Sequence, residues 1–174
     1  MPAPTGGFSI ELLRKDHNRE GFECGHPELN AYLRTQSRQE MERGAAVVYV
    51  LIPEQASNEV AGFYTLSSTT VKLADWPESV RTKLPRYPLV PATLLGRLAV
   101  SVSHKGHRLG ERLLMDALRR SHAASRAVGS TAVIVDAKDG EVVAFYARYG
   151  FIPFPDQPAR LFLPMKTITQ LPEP

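Results

Sequence analysis

Apolar and polar positions follow two rhythms along the chain, and the switches between them mark its elements. "FSIELL", Phe8 to Leu13, alternates with a period of two and predicts a strand. "HPELNAYLRTQSRQEMERG" changes to helical spacing. Leu29, Tyr32 and Leu33 share one face, Pro27 suits the first turn, and Gly44 is a natural stop. "AVVYVLI", ending at Pro53, and "EVAGFYTLSSTTVKL" are β-rich runs on either side of "PEQASN", which predicts a hairpin. The proline-rich "ADWPESVRTKLPRYPLVP" predicts irregular chain with at most a short helix near Glu78 to Lys83. "TLLGRLAVSV" returns to strand. A helix from about Arg108 to Arg126 follows, with Leu109, Leu113, Ala117 and Leu118 on one face. "TAVIVDA" has the look of a buried strand. "GEVVAFYARYG" predicts a helix closed by Gly150, and "FIPF" and "RLFLPM" predict two last strands. The first half therefore reads as antiparallel, and the second contains a strand–helix–strand unit of the kind that makes parallel pairs. The expected fold is α/β, a mixed, mostly antiparallel sheet with helices on both faces.

A length of 174 residues suits one domain, taken as 1–174. Hydrophobic residues at 43% and charged residues at 22% are ordinary for a globular protein. The net charge of +3 permits a polyanionic partner without requiring one. Cys24 is the single cysteine, so an intrachain disulfide and a cysteine zinc site are both excluded. It fits a reducing, cytoplasmic setting, and a small packed residue rather than a nucleophile. No run is long and apolar enough for a membrane span, and "MPAPTGG" lacks a signal pattern. The expectation is a soluble cytoplasmic protein with no membrane partner. His26, His104, His107 and His122 have no metal-ligand spacing, so no metal is expected, and His17 is expected at the surface.

Candidate chemistry begins at "SHKGHRLGERLL", residues 103 to 114. A strand, a short glycine-bearing loop and a helix start occur in succession there. Free N–H groups and the positive end of the helix dipole make such a junction an anion site. Lys105, His107 and Arg108 add charge. The spacing fits neither a Walker loop nor the dinucleotide G-x-G-x-x-G. From these residues alone, the glycines either hold a phosphate or only shape a turn.

Three further segments decide between those readings. "LLGRLAVSVSHKGHRLGERLLMDAL" resembles motif A of the GNAT acetyltransferases, Arg/Gln-x-x-Gly-x-Gly/Ala, and "DGEVVAFYARYGF" resembles their motif B. In motif B a tyrosine stands four residues before Gly-Phe, and here it is Tyr146. "FECGHPELNAYL", "AGFYTLSS", "LPRYPLVPATLLGRLAV", "VIVDAK", "FYARYGF" and "LFLPMKTI" resemble, in order, the GNAT toxins of type II toxin–antitoxin modules. The likeness runs from about Phe22 to Ile168.

The resemblance implies an acetyltransferase that moves an acetyl group from acetyl-CoA to the amine of the aminoacyl moiety of charged tRNA, blocking translation. It implies a partner antitoxin with a ribbon-helix-helix domain, operator DNA bound through that antitoxin, and a homodimer. Other readings of the same fold are acetylation of a small amine or protein N-terminus, and a non-catalytic acetyl-CoA-binding regulatory subunit. Tyr146 would protonate the departing CoA sulfur; otherwise it is a core aromatic beside Phe145 and Tyr149. Leu98, Ala99 and Val100 would line the acetyl and pantetheine arm where their strand splays from its neighbour. Lys105, Gly106, His107, Arg108, Leu109, Gly110 and Glu111 would wrap the pyrophosphate, with Phe145 nearby. Arg97, Arg86 and Arg38 are candidates for tRNA, among a wider set that includes Arg34, Arg81, Lys83, Arg119, Arg120 and Arg126. Four positions depart from the pattern. Lys105 replaces arginine or glutamine, and Asp139 and Val142 replace the asparagine and alanine of motif B. Arg108 stands at the first motif glycine, where it is expected to take an ordinary helical φ.

Overall fold

The structure is a computed structural model and describes residues 7–171; the segment "MPAPTGG" lies outside this range except for Gly7. Seven strands hydrogen-bond in the order β1-β2-β3-β4-β5-β7-β6. β1 (Phe8–Leu12), β2 (Val47–Pro53) and β3 (Gly62–Lys72) form an antiparallel meander, so the predicted hairpin is present. β4 (Leu89–Val100) pairs with β5 (Ala132–Asp136) in parallel, and α4 (Leu109–Ala124) connects them. β6 (Ile152–Phe154) and β7 (Gln157–Pro164) complete the sheet, with β7 antiparallel to both β5 and β6. The mixed α/β sheet read from the hydrophobic pattern is the observed one.

Three details differ from that pattern. The long first helix is broken into α1 (Pro27–Thr35) and α2 (Ser37–Glu42) at Gln36. Thr35 Oγ1 donates to the Ala31 carbonyl at 2.7 Å and Ser37 Oγ to that of Leu33 at 2.6 Å. Hydroxyls that bond back onto the preceding turn bend helices, and two of them flank the break. β4 also begins earlier than expected, at Leu89, and so takes in Pro91. Proline offers a strand no N–H, but its carbonyl remains, and that of Pro91 accepts the Thr131 N–H at 3.0 Å. The short helix α3 (Glu78–Arg81) lies where it was predicted, and α6 (Met165–Ile168) follows β7 without having been foreseen.

The backbone divides into two compact units. The first comprises the described residues up to Leu66 with Arg97–Ala117, and the second Ser67–Gly96 with Leu118 to the end of the described chain. The first unit packs Leu13, Phe22, Cys24, Tyr32, Leu33, Val48, Val50, Ile52, Val60, Phe63 and Ala99. Tyr64 of β3 donates to the Asp116 carboxylate at 2.6 Å and so ties α4 to the sheet. The second unit packs Trp76 edge-on against Phe154 and Phe162, with Val71, Val90, Ala92, Ala132 and Ile134 around them. No helix among the described residues is long and apolar enough to cross a membrane.

His17 corrects an expectation. It is 4% exposed rather than at the surface. Its Nδ1 accepts the Arg14 N–H at 2.8 Å, and its Nε2 lies 2.8 Å from the Glu11 carboxylate. With Nδ1 as acceptor, Nε2 carries the proton and donates to Glu11.

Candidate active site

The loop after β4 is built by short-range bonds. Ser101 Oγ accepts the Ser103 N–H and opens a single 3-10 turn, Val102–His104. Lys105, Gly106, His107 and Arg108 follow, all exposed, before Leu109 turns inward at the start of α4. Gly106 has φ +93, a left-handed conformation that glycine adopts without steric cost. A Cβ there would meet nothing within 4 Å, so the backbone, not a packing neighbour, requires the glycine. Arg108 is the one non-glycine residue with positive φ among those described, at +55. The expectation of a helical φ was therefore wrong. The turn keeps the left-handed shape that glycine would give it, and arginine carries the steric penalty.

The Arg108 carbonyl accepts the Arg112 N–H at 3.1 Å, which is the first bond of α4. None of the N–H groups from Gly106 to Glu111 takes a bond within the described chain. Unpaired amides at the start of a sixteen-residue helix, beside exposed Lys105, His107 and Arg108, suit a phosphate. Ala99 is buried and Leu98 and Val100 are half-buried on the strand that leads into the loop. The register of β4 with β5 holds two residue pairs, Thr93 with Val133 and Leu94 with Ile134. Beyond Leu94, β4 runs on to Val100 with no β5 residue in register, so it has main-chain groups to offer elsewhere.

Tyr146 lies in α5 (Gly140–Arg148) in the second unit, with both helix ends capped. Asp139, left without a role by the sequence, is the N-cap: its carboxylate accepts the Val142 N–H at 3.0 Å. At the other end Gly150, at φ +94, closes a Schellman motif. The Gly150 N–H bonds the Ala147 carbonyl at 3.1 Å, and the Phe151 N–H bonds that of Tyr146 at 3.3 Å. The Tyr146 and Phe151 rings then meet at 5.2 Å, which is the apolar contact this motif favours. The spacing Tyr-x-x-x-Gly-Phe is thus the geometry of a helix end that grips its own tyrosine. Phe145 and Tyr149 are half-buried, and Phe145 contacts both Tyr146 and Tyr149 edge-on. Tyr146 is 6% exposed, and its hydroxyl bonds no described residue. Burial pushes its phenol above the ordinary tyrosine value, so it holds its proton.

The three basic candidates are placed differently. Arg97 lies over the Tyr32 ring, 3.6 Å from its centroid, and the Tyr32 hydroxyl donates to Glu40 at 2.6 Å. The sequence did not link Arg97 to Tyr32, because a strand and a helix more than sixty residues apart share no local signal. Arg38 pairs with Glu42 at 3.5 Å, one turn along α2. Arg86 is exposed in the second unit. Cys24 is 2% exposed, and burial pushes its thiol up, away from the thiolate a nucleophile needs. No group of three or more His, Cys, Asp or Glu side chains among the described residues is placed to hold a metal ion.

A turn that offers amides to phosphate and a phenol that keeps its proton are the equipment of an acyl transferase using a phosphorylated thioester. No protein-family profile matches the chain, but individual proteins do. It is 37% identical over 145 residues to the tRNA-acetylating toxin of Mycobacterium tuberculosis (strain ATCC 25618 / H37Rv), covering 83% of this chain and 84% of that one. The fold matches that of AtaT in complex with acetyl-methionyl-tRNAfMet, with a TM-score of 0.87 and 31% identity, over 94% of this chain and 98% of that one. It matches a tyrosine-to-phenylalanine mutant of AtaT bound to the C-terminus of the antitoxin AtaR and acetyl-CoA, with a TM-score of 0.80 and 28% identity over 94% and 96%. The chain belongs to the GNAT acetyltransferase toxins of toxin–antitoxin modules.

Proposed function

We propose that this chain transfers the acetyl group of acetyl-CoA to the free amine of the aminoacyl moiety of charged tRNA, in the cytoplasm, and so stops translation. Kinship with the tRNA-acetylating toxin carries the reading to that acceptor. The amide-lined turn supports acetyl-CoA as donor, since the pyrophosphate of CoA is the anion such a turn fits. Acetyl-CoA supplies an activated acyl group; the chain's own residues bind it and manage a proton. Backbone groups of Leu98, Ala99 and Val100 take the pantetheine arm and the acetyl carbonyl. The turn from Lys105 to Glu111 takes the pyrophosphate, with the Arg108 side chain adding charge. Tyr146, with Phe145 against it, holds a proton for the departing sulfur. Arg97, Arg86 and Arg38 contribute to the grip on tRNA. A ribbon-helix-helix antitoxin silences the enzyme and carries it to operator DNA, and the active form is a homodimer.

The test is to incubate the protein with labelled acetyl-CoA and bulk charged tRNA. Label is expected in the aminoacyl fraction and is expected to be lost in Tyr146→Phe, whose expression also relieves growth arrest. Label on polyamines or peptides alone would overturn the tRNA assignment. Binding of CoA without any turnover would leave a regulatory subunit instead of an enzyme.

A further inference from the structure

Tyr87 is 64% exposed, and every other tyrosine, phenylalanine or tryptophan among the described residues is at least half-buried. A ring left in water forgoes apolar burial, so something must hold it out. Leu84 packs into the Trp76 core before it, and Val90 is fully buried after it. Residues 85 to 89 lie exposed between these anchors. Pro85 and Pro88 fix φ on either side, and the Pro88 carbonyl accepts the Leu73 N–H at 3.0 Å. The segment is thus tied at both ends with its ring outward. Arg86 is exposed beside the ring, and neither side chain has a partner in the described chain.

Beside this segment is an open hollow of about 550 Å3 lined by Lys72, Leu73, Ala74, Arg81, Pro88 and Leu89. Its walls are aliphatic, and its two charged lining residues are both cations. Along residues 72–89 Lys72, Arg81, Lys83 and Arg86 outnumber the acids Asp75 and Glu78. An exposed ring, an apolar hollow and a cationic rim are what proteins present to unpaired nucleotides. Bases stack on the ring and enter the hollow, and phosphates meet the cations. A rigid duplex keeps its bases stacked inside and would use only the charges.

We propose that Tyr87, Arg86 and the adjoining hollow bind unpaired nucleotides of RNA, and that they take the single-stranded end of the tRNA substrate. The second part rests on charged tRNA being the acceptor. The test uses the full chain and the variants Tyr87→Ala, Tyr87→Trp and Arg86→Gln. It reads transfer from labelled acetyl-CoA to bulk charged tRNA, and the fluorescence anisotropy of a labelled single-stranded RNA oligonucleotide. Tyr87→Ala is expected to raise KM for charged tRNA about ten-fold and to weaken oligonucleotide binding similarly, whereas Tyr87→Trp restores both. Arg86→Gln should flatten the slope of log affinity against log salt by about one. An unchanged Tm would show that the fold is intact. Equal KM and equal oligonucleotide binding in Tyr87→Ala and wild type would overturn the proposal. So would a loss confined to self-association or to antitoxin affinity, which would make this surface a protein interface. A wild-type protein that acetylates no charged tRNA would remove the acceptor reading, and the oligonucleotide arm would still decide whether the surface binds nucleotides.

Discussion

Two buried phenols, Tyr146 and Tyr32, hold their protons above the ordinary tyrosine range. Tyr146 is pushed above the ordinary tyrosine value by burial. Tyr32 is raised by burial and then by its hydrogen bond to Glu40. A group whose folded pKa exceeds its unfolded one stabilises the fold fully below the unfolded value, about 10 for tyrosine, and that stability is lost as pH rises further. Urea midpoints are therefore expected to begin to fall above about pH 9, where the unfolded Cys24 thiol ionises, and to fall more steeply above about pH 10, where the tyrosines join it. Tyr32→Phe is expected to reduce the fall. As a general acid Tyr146 would keep its proton across the same range, so no basic limb is expected in kcat below about pH 10. The Tyr146 hydroxyl has no partner to lose. Tyr146→Phe should therefore lower kcat by about 10²- to 10⁴-fold at unchanged Tm. Arg108 separates strain from charge. Replacing it with glycine relieves a left-handed backbone worth about 1–2 kcal/mol, whereas alanine keeps the strain. Arg108→Gly should raise stability and also raise KM for acetyl-CoA. Arg108→Ala should raise KM without the gain, and an unchanged KM in both would remove that side chain from the cofactor site.

Among elements, α5 shows why some of the site was legible in sequence. Its caps are local: Asp139 and Gly150 are each bonded to residues within four positions of themselves, so the pattern "DGEVVAFYARYGF" contains the whole device. Asp139→Ala is expected to cost about 1 kcal/mol, and Gly150→Ala about 1–2 kcal/mol through the left-handed φ. Urea titration measures both. Gly150→Ala should also lower kcat, because the bond from Phe151 to the Tyr146 carbonyl depends on that turn. The break at Gln36 was hidden, since no glycine or proline marks it and the hydroxyls of Thr35 and Ser37 act through the turn before them. His17 was misjudged for a related reason. Its buried ring bonds the Arg14 N–H and the Glu11 carboxylate, and a lone histidine in a polar stretch carries no periodic signal. The φ of Arg108 was unreadable because a side chain's identity suggests its backbone's habit, and here the loop overrides that habit.

Taken as a whole, the chain shows its topology more plainly than its contacts. The hairpin, the parallel pair with its helical crossover and the two closing strands follow from where the period changes. The stack of Arg97 on Tyr32 and the bond from Tyr64 to Asp116 join distant segments, and only the folded chain brings them together. The ends of the sheet have a consequence of their own. β6 is three residues long and contains Pro153, which has no N–H to donate. β1 is five residues long, its Glu11 is engaged by Arg14 and His17, and its Phe8 carbonyl already accepts a bond from Arg112. Short, charged or proline-bearing rims are poor templates for adding a foreign strand. For this chain, growth into cross-strand aggregates is therefore no easy route to inactivation, since neither rim of the sheet offers a long, flat row of free main-chain groups.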